Sequence, residues 1–467
     1  MARIVAEPEP ERKNSAWIAV GVGVVAVALL AVGTAAGSVT NGDEATYALF
    51  ARGLRQGDFL HLRLGDTVMH QRPPLYPWLL ALSTGILGET AFALRLPSVL
   101  AGGVTAAFTY LLGERLLGRR AGLVAGLLFA TLALAYLYGR VVVSDMTLTA
   151  FATASIYLVI ARRWLGAGLA LGAALLTKQV VGLLPLVAVA ALVWGKEPPR
   201  RRDLAVLAAA ALAVWAPWHI AMTVLDGRAF WEGYLGTNVL QRVRQSLIAP
   251  TGPGYYLEVL WAKEGPLVLA AAVGVAFAAV GVWRRRAGDT LVLSWLVGVI
   301  VAFTLATSRI DYYLLPAYPA LALAMARPLA GLRPALATAL GAALVAASAA
   351  VHIPPRIGDV DRSPEIRALA RTAAPDVVVD DLPMAPELYG GRRVTLVVTR
   401  FPHYLRLLSM AFLDPARVIW IPSAAVAPYL SSRPGAVVLE LKAEIRHAPP
   451  PGARMLGETA RYVLYKI

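Results

Sequence analysis

The sequence predicts a polytopic α-helical membrane protein of about eleven transmembrane helices, followed by a small α/β domain outside the membrane. Three observations predict it. Of 467 residues, 58% are hydrophobic and 16% charged, and the mean hydropathy is +0.61; soluble chains are about half apolar and a quarter charged. Apolar runs recur from residue 17 to residue 351. Basic residues fall in short clusters between those runs. Disorder and a string of soluble domains are thereby excluded. The 44 Lys and Arg against 29 Asp and Glu leave a net charge of +15, yet clusters scattered between apolar runs offer no single basic face to a nucleic acid. With no cysteine, disulfides, thiolate metal sites and a Cys nucleophile are unavailable.

A hydrocarbon core about 30 Å thick needs ~20 mostly apolar residues per helix. The first run, 17–37, reads as a retained anchor. It is long, Glu7, Glu9 and Glu11 precede it, and further spans follow. Those spans are expected at 92–113, 121–139, 146–161, 165–177, 180–194, 204–222, 264–282, 289–306, 312–327 and 334–351. With residues 1–16 as a cytoplasmic tail, the inner loops carry Arg115, Arg119 and Arg120; Arg162 and Arg163; Lys196 and Arg200–Arg202; Arg284–Arg286; and Arg327 with Arg333. Every tight basic cluster then lies inside, as the positive-inside rule requires. The protein is accordingly expected in the cytoplasmic (inner) membrane, with a transmembrane domain over 17–351 that includes a large outer loop, 38–91. The stretch 165–194 reads either as a kinked pair or as one long span, because 165–177 is short. Residues 73–87 are apolar, but a full crossing there would invert every later loop. An interfacial or re-entrant helix on the outer side is expected instead.

The tail, 352–467, has no span. Helix-like stretches at 364–372 and 402–412 alternate with strand-like ones at 376–380, 394–398, 418–421, 436–441 and 462–465. This is the expected extracytoplasmic α/β domain.

On this topology the outer face collects polar residues: Asn41-Gly42-Asp43-Glu44, Gly57-Asp58, His70-Gln71-Arg72-Pro73-Pro74, Ser144-Asp145, Thr177-Lys178, Asn238 with Gln241-Arg242, Lys263-Glu264, and Ser308–Tyr313. Two adjacent carboxylates directly after a span are costly near lipid unless they face water, a cation or a substrate. Singly, each group suits a helix cap or an interfacial anchor. Outer-side cations run against the positive-inside trend, so they call for an anionic partner such as a lipid phosphate, to which Arg offers a bidentate fork.

The order of these motifs resembles the C-type-fold membrane glycosyltransferases, in the branch of protein O-mannosyltransferases and lipid A aminoarabinose transferases. The resemblance is carried by Asp43-Glu44 with Tyr47, Gly57-Asp58, Arg72-Pro73-Pro74-Leu75-Tyr76-Pro77-Trp78, Arg95-Leu96-Pro97-Ser98, Asp145, Thr177-Lys178, Ala216-Pro217-Trp218, Asn238–Arg242 and Arg309–Pro316. It runs through about 15–330. It implies a glycosyltransferase using a polyprenyl-phosphate sugar as donor and a lipid, glycan or protein acceptor of the cell envelope, with membrane lipids as surroundings and no nucleic acid. The chain departs from the family pattern at Asn238, where many relatives have His, at Gln71, where the aminoarabinose enzymes have Glu, and at Gln179, where a Gly follows the Lys. No cofactor is predicted. A divalent metal, suggested for some relatives, would lose the ligands at 238 and 71.

Within that resemblance, breaking the bond from the anomeric carbon to phosphate leaves a polyprenyl phosphate dianion, which preplaced cations would stabilise. Arg72, Lys178, Arg242 and Arg309 are the candidates, with Tyr313 as a hydrogen-bond donor. For a hydroxyl acceptor a carboxylate on the opposite face takes the proton, and the product is inverted. Asp43 is the first choice of base, with Glu44 and Asp145 orienting sugar or acceptor or substituting for it. For a phosphate acceptor no base is needed and Asp43 positions the donor sugar. The rival class is a transporter or flippase without chemistry. That reading expects charge at mid-span and repeated halves, whereas here charge gathers at one face.

Overall fold

A computed structural model of the chain describes residues 9–35, 42–64, 67–241, 252–306 and 309–356, together with five strands between 396 and 466. It is a polytopic helical membrane protein. Among the described residues, six helical stretches are long and apolar enough to cross a bilayer: Asn14–Ala31, Ala91–Leu117, Trp164–Leu183, Arg201–Gly236, Ala287–Leu305 and Pro334–Arg356. Shorter apolar helices cover Leu75–Leu87, Ser144–Ile160 and Leu267–Trp283.

In chain order the helices are α1 (Glu9–Ala31), α2 (Gly42–Arg55), α3 (Leu75–Leu87), α4 (Ala91–Leu117), α5 (Arg119–Thr131), α6 (Ala133–Tyr138), α7 (Ser144–Ile160), α8 (Trp164–Lys178), α9 (Leu186–Trp194), α10 (Arg201–Trp231), α11 (Tyr255–Glu264), α12 (Leu267–Trp283), α13 (Ala287–Leu305), α14 (Tyr318–Ala326) and α15 (Pro334–Arg356). The strands are β1 (Arg63–Leu64), β2 (Thr67–Val68), β3 (Leu396–Thr399), β4 (Val418–Ile421), β5 (Val437–Leu441), β6 (Arg454–Glu458) and β7 (Tyr462–Lys466). Every apolar run expected to span contains helix. The differences lie in where runs break. The run 121–139 divides at Leu132, whose ψ of 143° is extended. The run 165–194 is a pair, because the chain turns at Gln179 and passes through a 3-10 turn, Gln179–Leu183, that folds Gly182 against the backbone of Ala174 and Leu175. The run 264–282 starts only after Gly265, at φ 56°. Over 312–327 a 3-10 segment, Asp311–Ala317, precedes α14.

The chain forms two compact units. The first comprises Met1–Val32, Met69–Tyr76 and Leu96–Ile357; the second comprises Gly33–Val68, Pro77–Arg95 and Gly358–Ile467. Within the first, glycines let helices approach closely. A Cβ on Gly168 of α8 would meet the Leu207 carbonyl of α10 at 2.3 Å, and one on Gly172 would meet that of Ala211 at 2.5 Å. Small residues one turn apart thus seat α8 on α10 by van der Waals packing, the usual currency between helices in lipid. Trp295 of α13 is fully buried, and its indole N–H donates to the Pro316 carbonyl at 2.7 Å. Arg140, between α6 and α7, donates to the carbonyls of Val32 and Arg356 at the C-terminal ends of α1 and α15, where helix dipoles favour a cation.

In the second unit α2 is followed by the β1–β2 hairpin, with Arg63 opposite Val68. Helix α3 is 13 residues long, about 20 Å. It exposes Leu82 and Ile86. The C-terminal strands make one sheet of order β4-β3-β5-β7-β6. Strand β3 is parallel to β4 and β5, while β5, β7 and β6 pair antiparallel. Four of the strands overlap expected ones. Strand β6 has no counterpart among the expected strands, because its run Arg454–Glu458 mixes charge with Gly457 at a bulge. The expected strand 376–380 and helices 364–372 and 402–412 lie outside the described residues.

Candidate active site

Helices α7 and α8 form a hairpin through a turn at Arg162, φ 58°, latched by the Ser155 hydroxyl donating to the Ala167 carbonyl at 2.8 Å. Similar lengths of helix lead back from this turn to Asp145 and onward to Lys178, so the two side chains meet at the far end. The Lys178 ammonium donates to Asp145 Oδ1 at 2.5 Å. Each charge complements its helix, the carboxylate in the first turn of α7 and the ammonium in the last turn of α8. Asp145 is buried, whereas Lys178 keeps 22% side-chain exposure.

Lys178 also stands over the ring of Tyr313, 4.5 Å from its centroid, and 5.6 Å from that of Tyr312. Partly desolvated cation–π contacts of this kind are worth about 1–2 kcal/mol. Tyr313 stacks on Phe303 at 4.9 Å, and Tyr312 meets Tyr138 edge-on at 5.3 Å. The Tyr138 hydroxyl donates to Asp311 Oδ1 at 2.6 Å, and Lys263 Nζ lies 3.4 Å from Asp311 Oδ2. Two Lys–Asp pairs therefore flank an aromatic wall.

This wall is anchored by Glu264, which is 2% exposed. Its carboxylate accepts the backbone N–H groups of Ala133 and Leu134 at 3.0 and 3.4 Å, filling the exposed donors at the start of α6. It also accepts the Tyr318 hydroxyl at 2.7 Å, and His352 Nε2 lies 3.6 Å away. One carboxylate thus ties together the helices that carry Tyr138, Lys263 and the Asp311–Tyr313 segment.

A second tether starts at Gln179. Its side-chain amide donates to the carbonyls of Gln71, at 3.2 Å, and Tyr234, at 3.0 Å. The residue after Gln71 is Arg72, so the Arg72-Pro73-Pro74 turn is held at the end of α8, next to Lys178 in sequence. On its other side, His70 Nε2 lies 2.7 Å from Asp226 Oδ2, beside the Gly227 kink of α10. His219 is tautomerically fixed. Its Nδ1–H donates to the Trp215 carbonyl, so Nε2 accepts the Tyr234 hydroxyl, each at 2.8 Å.

Arg309 donates to the Thr304 carbonyl from Nε and Nη2, at 3.1 and 2.7 Å, and to the Gly252 carbonyl at 3.4 Å. It thereby caps the C-terminal turn of α13. Arg242 lies outside the described residues.

The remaining two expected site residues belong to the second unit. Asp43, half-buried, opens α2. Glu44 follows it and is fully buried against Arg95: Nε to Oε1 is 3.3 Å, Nη2 to Oε2 is 3.5 Å, and Nη1 donates to the Thr34 carbonyl at 3.0 Å. Arg95, the first residue of the Arg-Leu-Pro-Ser element, is 0% exposed. Asp58 organises the loop after α2. Burial pushes its carboxyl up, but donors outweigh it: the His61 ring and backbone N–H and Arg63 Nε hold it at about 2. The indole of Trp78 donates to the Phe59 carbonyl at 2.8 Å.

The structure therefore brings Asp145, Lys178 and Tyr313 together and ties the carbonyl of Gln71, the residue before Arg72, to Gln179, the residue after Lys178. Sequence reasoning placed Glu264 among the outer polar residues without its anchoring part, and missed the contact of Tyr138 and the His70–Asp226 link. Tyr138 and Glu264 carry no periodic signal, since each acts across more than a hundred residues of chain.

Comparison with known proteins accords with this fold. Residues 71–220 match the family model of dolichyl-phosphate-mannose-protein mannosyltransferases. An undecaprenyl phosphate-α-4-amino-4-deoxy-L-arabinose arabinosyl transferase of Pectobacterium carotovorum is 29% identical over 316 residues, 63% of this chain and 56% of that protein. Its counterpart in Serratia proteamaculans is 30% identical over 307 residues, covering 61% and 54%. The chain thus spans about half the length of the curated relatives it matches. In structure, ArnT from Cupriavidus metallidurans, crystallised with undecaprenyl phosphate, superposes with a TM-score of 0.71 at 18% identity, over 96% of this chain and 97% of that one. The oligosaccharyltransferase of Archaeoglobus fulgidus superposes with a TM-score of 0.51 at 14% identity, over 87% and 64%. The chain thus shares the fold of that ArnT structure, and over part of its length its sequence is similar to mannosyltransferases and aminoarabinose transferases.

Proposed function

We propose that this chain moves a sugar from a polyprenyl-phosphate donor to an envelope lipid, glycan or protein at the outer face of the cytoplasmic membrane. The observation that carries the reading is the Lys178 ammonium, held between Asp145 and the Tyr313 ring with the Arg72 segment tethered beside it. The fold and the relatives support the donor class. In the reaction the bond between the anomeric carbon and the phosphate oxygen breaks, and a bond from the acceptor oxygen to the anomeric carbon forms. The electron pair leaves with polyprenyl phosphate as its dianion. Lys178 and Arg72 stabilise that charge, with Arg242 and Arg309 adding to the field and Tyr313 bounding the phosphate position. If the acceptor is a hydroxyl, its proton passes to a carboxylate; Asp43 is assigned this part, and Asp145 fixes Lys178. The full scheme has eleven spans, the N-terminus inside and the C-terminal sheet outside.

The test is a transfer assay on purified protein in lipid, following release of polyprenyl phosphate from a panel of polyprenyl-phosphate sugars with envelope extract as acceptor. Wild-type protein is expected to release it. Lys178→Met and Arg72→Ala should slow release by about 10²–10³, the size typical of losing one preplaced charge-stabilising group. Asp43→Asn should slow it by about 10²–10⁴ when the acceptor is a hydroxyl. Normal release by folded Lys178→Met would overturn the assignment.

A further inference from the structure

Gln179 adopts a backbone conformation that side chains avoid. Its φ of 47° and ψ of −135° put Cβ where an L-residue is strained. Among the described residues, Gly227 at 55° and −124° and Gly265 at 56° and −138° take the same conformation. At 179 the chain places a glutamine instead, and buries it to 7% exposure. Its amide bridges the carbonyls of Gln71 and Tyr234, which come from two other segments. Glycine would suit the turn itself, whereas the bridge requires the side-chain amide.

We infer that Gln179 is a positioning residue for the donor phosphate site: it holds the Gln71–Arg72 backbone at the end of α8, beside Lys178. The inference rests on the donor reading given above. Its logic is independent of which sugar is carried. Pro73 and Pro74 restrict the chain after Arg72, and the bridge to Gln71 fixes the chain before it. Together they leave Arg72 little backbone freedom, which is the preorganisation an anion site needs.

Two variants separate strain from positioning. Gln179→Ala removes the bridge and keeps the strained backbone, whereas Gln179→Gly removes both. Purified full-length proteins in lipid nanodiscs would be compared by thermal midpoint, by hydrogen exchange of residues 69–72, and by Kd for undecaprenyl phosphate. The glycine variant should melt above the alanine variant. Both should show faster exchange at 69–72, and both should bind undecaprenyl phosphate roughly five- to tenfold more weakly, the scale of one hydrogen bond. In an Arg72→Ala background neither substitution should weaken binding further. Unchanged exchange at 69–72 overturns the tether, whatever the ligand does. Faster exchange with unchanged affinity, or a full additional loss in the Arg72→Ala background, overturns the positioning role. Wild-type protein that fails to bind any polyprenyl phosphate overturns the donor reading, and exchange still decides the tether.

Discussion

Asp43 and Glu44 are adjacent carboxylates with opposite surroundings. Glu44 is sealed against Arg95, and both are fully buried, whereas Asp43 is half-buried at the head of α2. A buried pair contributes little net stability, but breaking it strands a charge at a cost of about 3–5 kcal/mol. Glu44→Ala and Arg95→Ala should each lower stability by that order, and the double variant should lose clearly less than their sum, read as thermal midpoints of the purified chain. Glu44→Gln should transfer sugar at a rate near wild type per folded molecule, while Asp43→Asn keeps its midpoint and loses transfer. A Glu44→Gln protein that is folded and inactive would return the catalytic part to Glu44. Sequence alone could not divide the pair. Both carboxylates fit a helix N-terminus, and the partner of Glu44 lies 51 residues away.

At the scale of elements, the site depends on how α8 sits on α10. Gly168 and Gly172 are four residues apart and turn the same face toward the backbone of α10. A Gly172→Leu substitution has no room against Ala211 and Val214. It should separate the two helices, cost about 1–3 kcal/mol as overpacking, and carry the end of α8, with Lys178, out of register. The expected outcome is a lower thermal midpoint together with weaker undecaprenyl phosphate binding; Gly166→Leu, whose nearest neighbours are flexible atoms of Leu158 at 3.3 and 3.7 Å, should do less on both counts. The helices themselves were legible, because each apolar run must satisfy its backbone internally in lipid. Their breaks were not. Leu132 leaves the helix because Glu264, far along the chain, receives the N–H groups that begin α6. At the strained position of the turn, φ 47°, stands Gln179 and not a glycine that would announce it. The same limit governs the site: Asp145, Lys178 and Tyr313 were readable as polar residues on one face, but the Asp311–Tyr138 bond and the Glu264 anchor are contacts between distant segments that no local pattern encodes.

For the whole molecule, the arrangement of charge and helix breaks bears on topology. If every basic cluster faces the cytoplasm, an even number of crossings must separate consecutive clusters. With the 10-residue α11 not counted as a crossing, two helical runs lie between each pair: α5–α6 and α7 between Arg120 and Arg162, α8 and α9 between Arg163 and Lys196, α10 and α12 between Arg202 and Arg284, α13 and α14 between Arg286 and Arg327. The break at Gln179 is what makes the second of these a pair. Adding α1 and α4 before the first cluster and α15 after the last makes the total odd, so the C-terminal sheet should lie opposite the N-terminus. The chain has no cysteine, so single-cysteine variants report without background. Met455→Cys, at a residue 60% exposed on β6, should react with a membrane-impermeant maleimide in right-side-out vesicles. Arg285→Cys, in the turn after α12, should react only once the membrane is opened. Labelling of both from the same side would require an even number of crossings between residues 285 and 455 and would place one of α13, α14 and α15, first of all the 9-residue α14, wholly on one side of the bilayer.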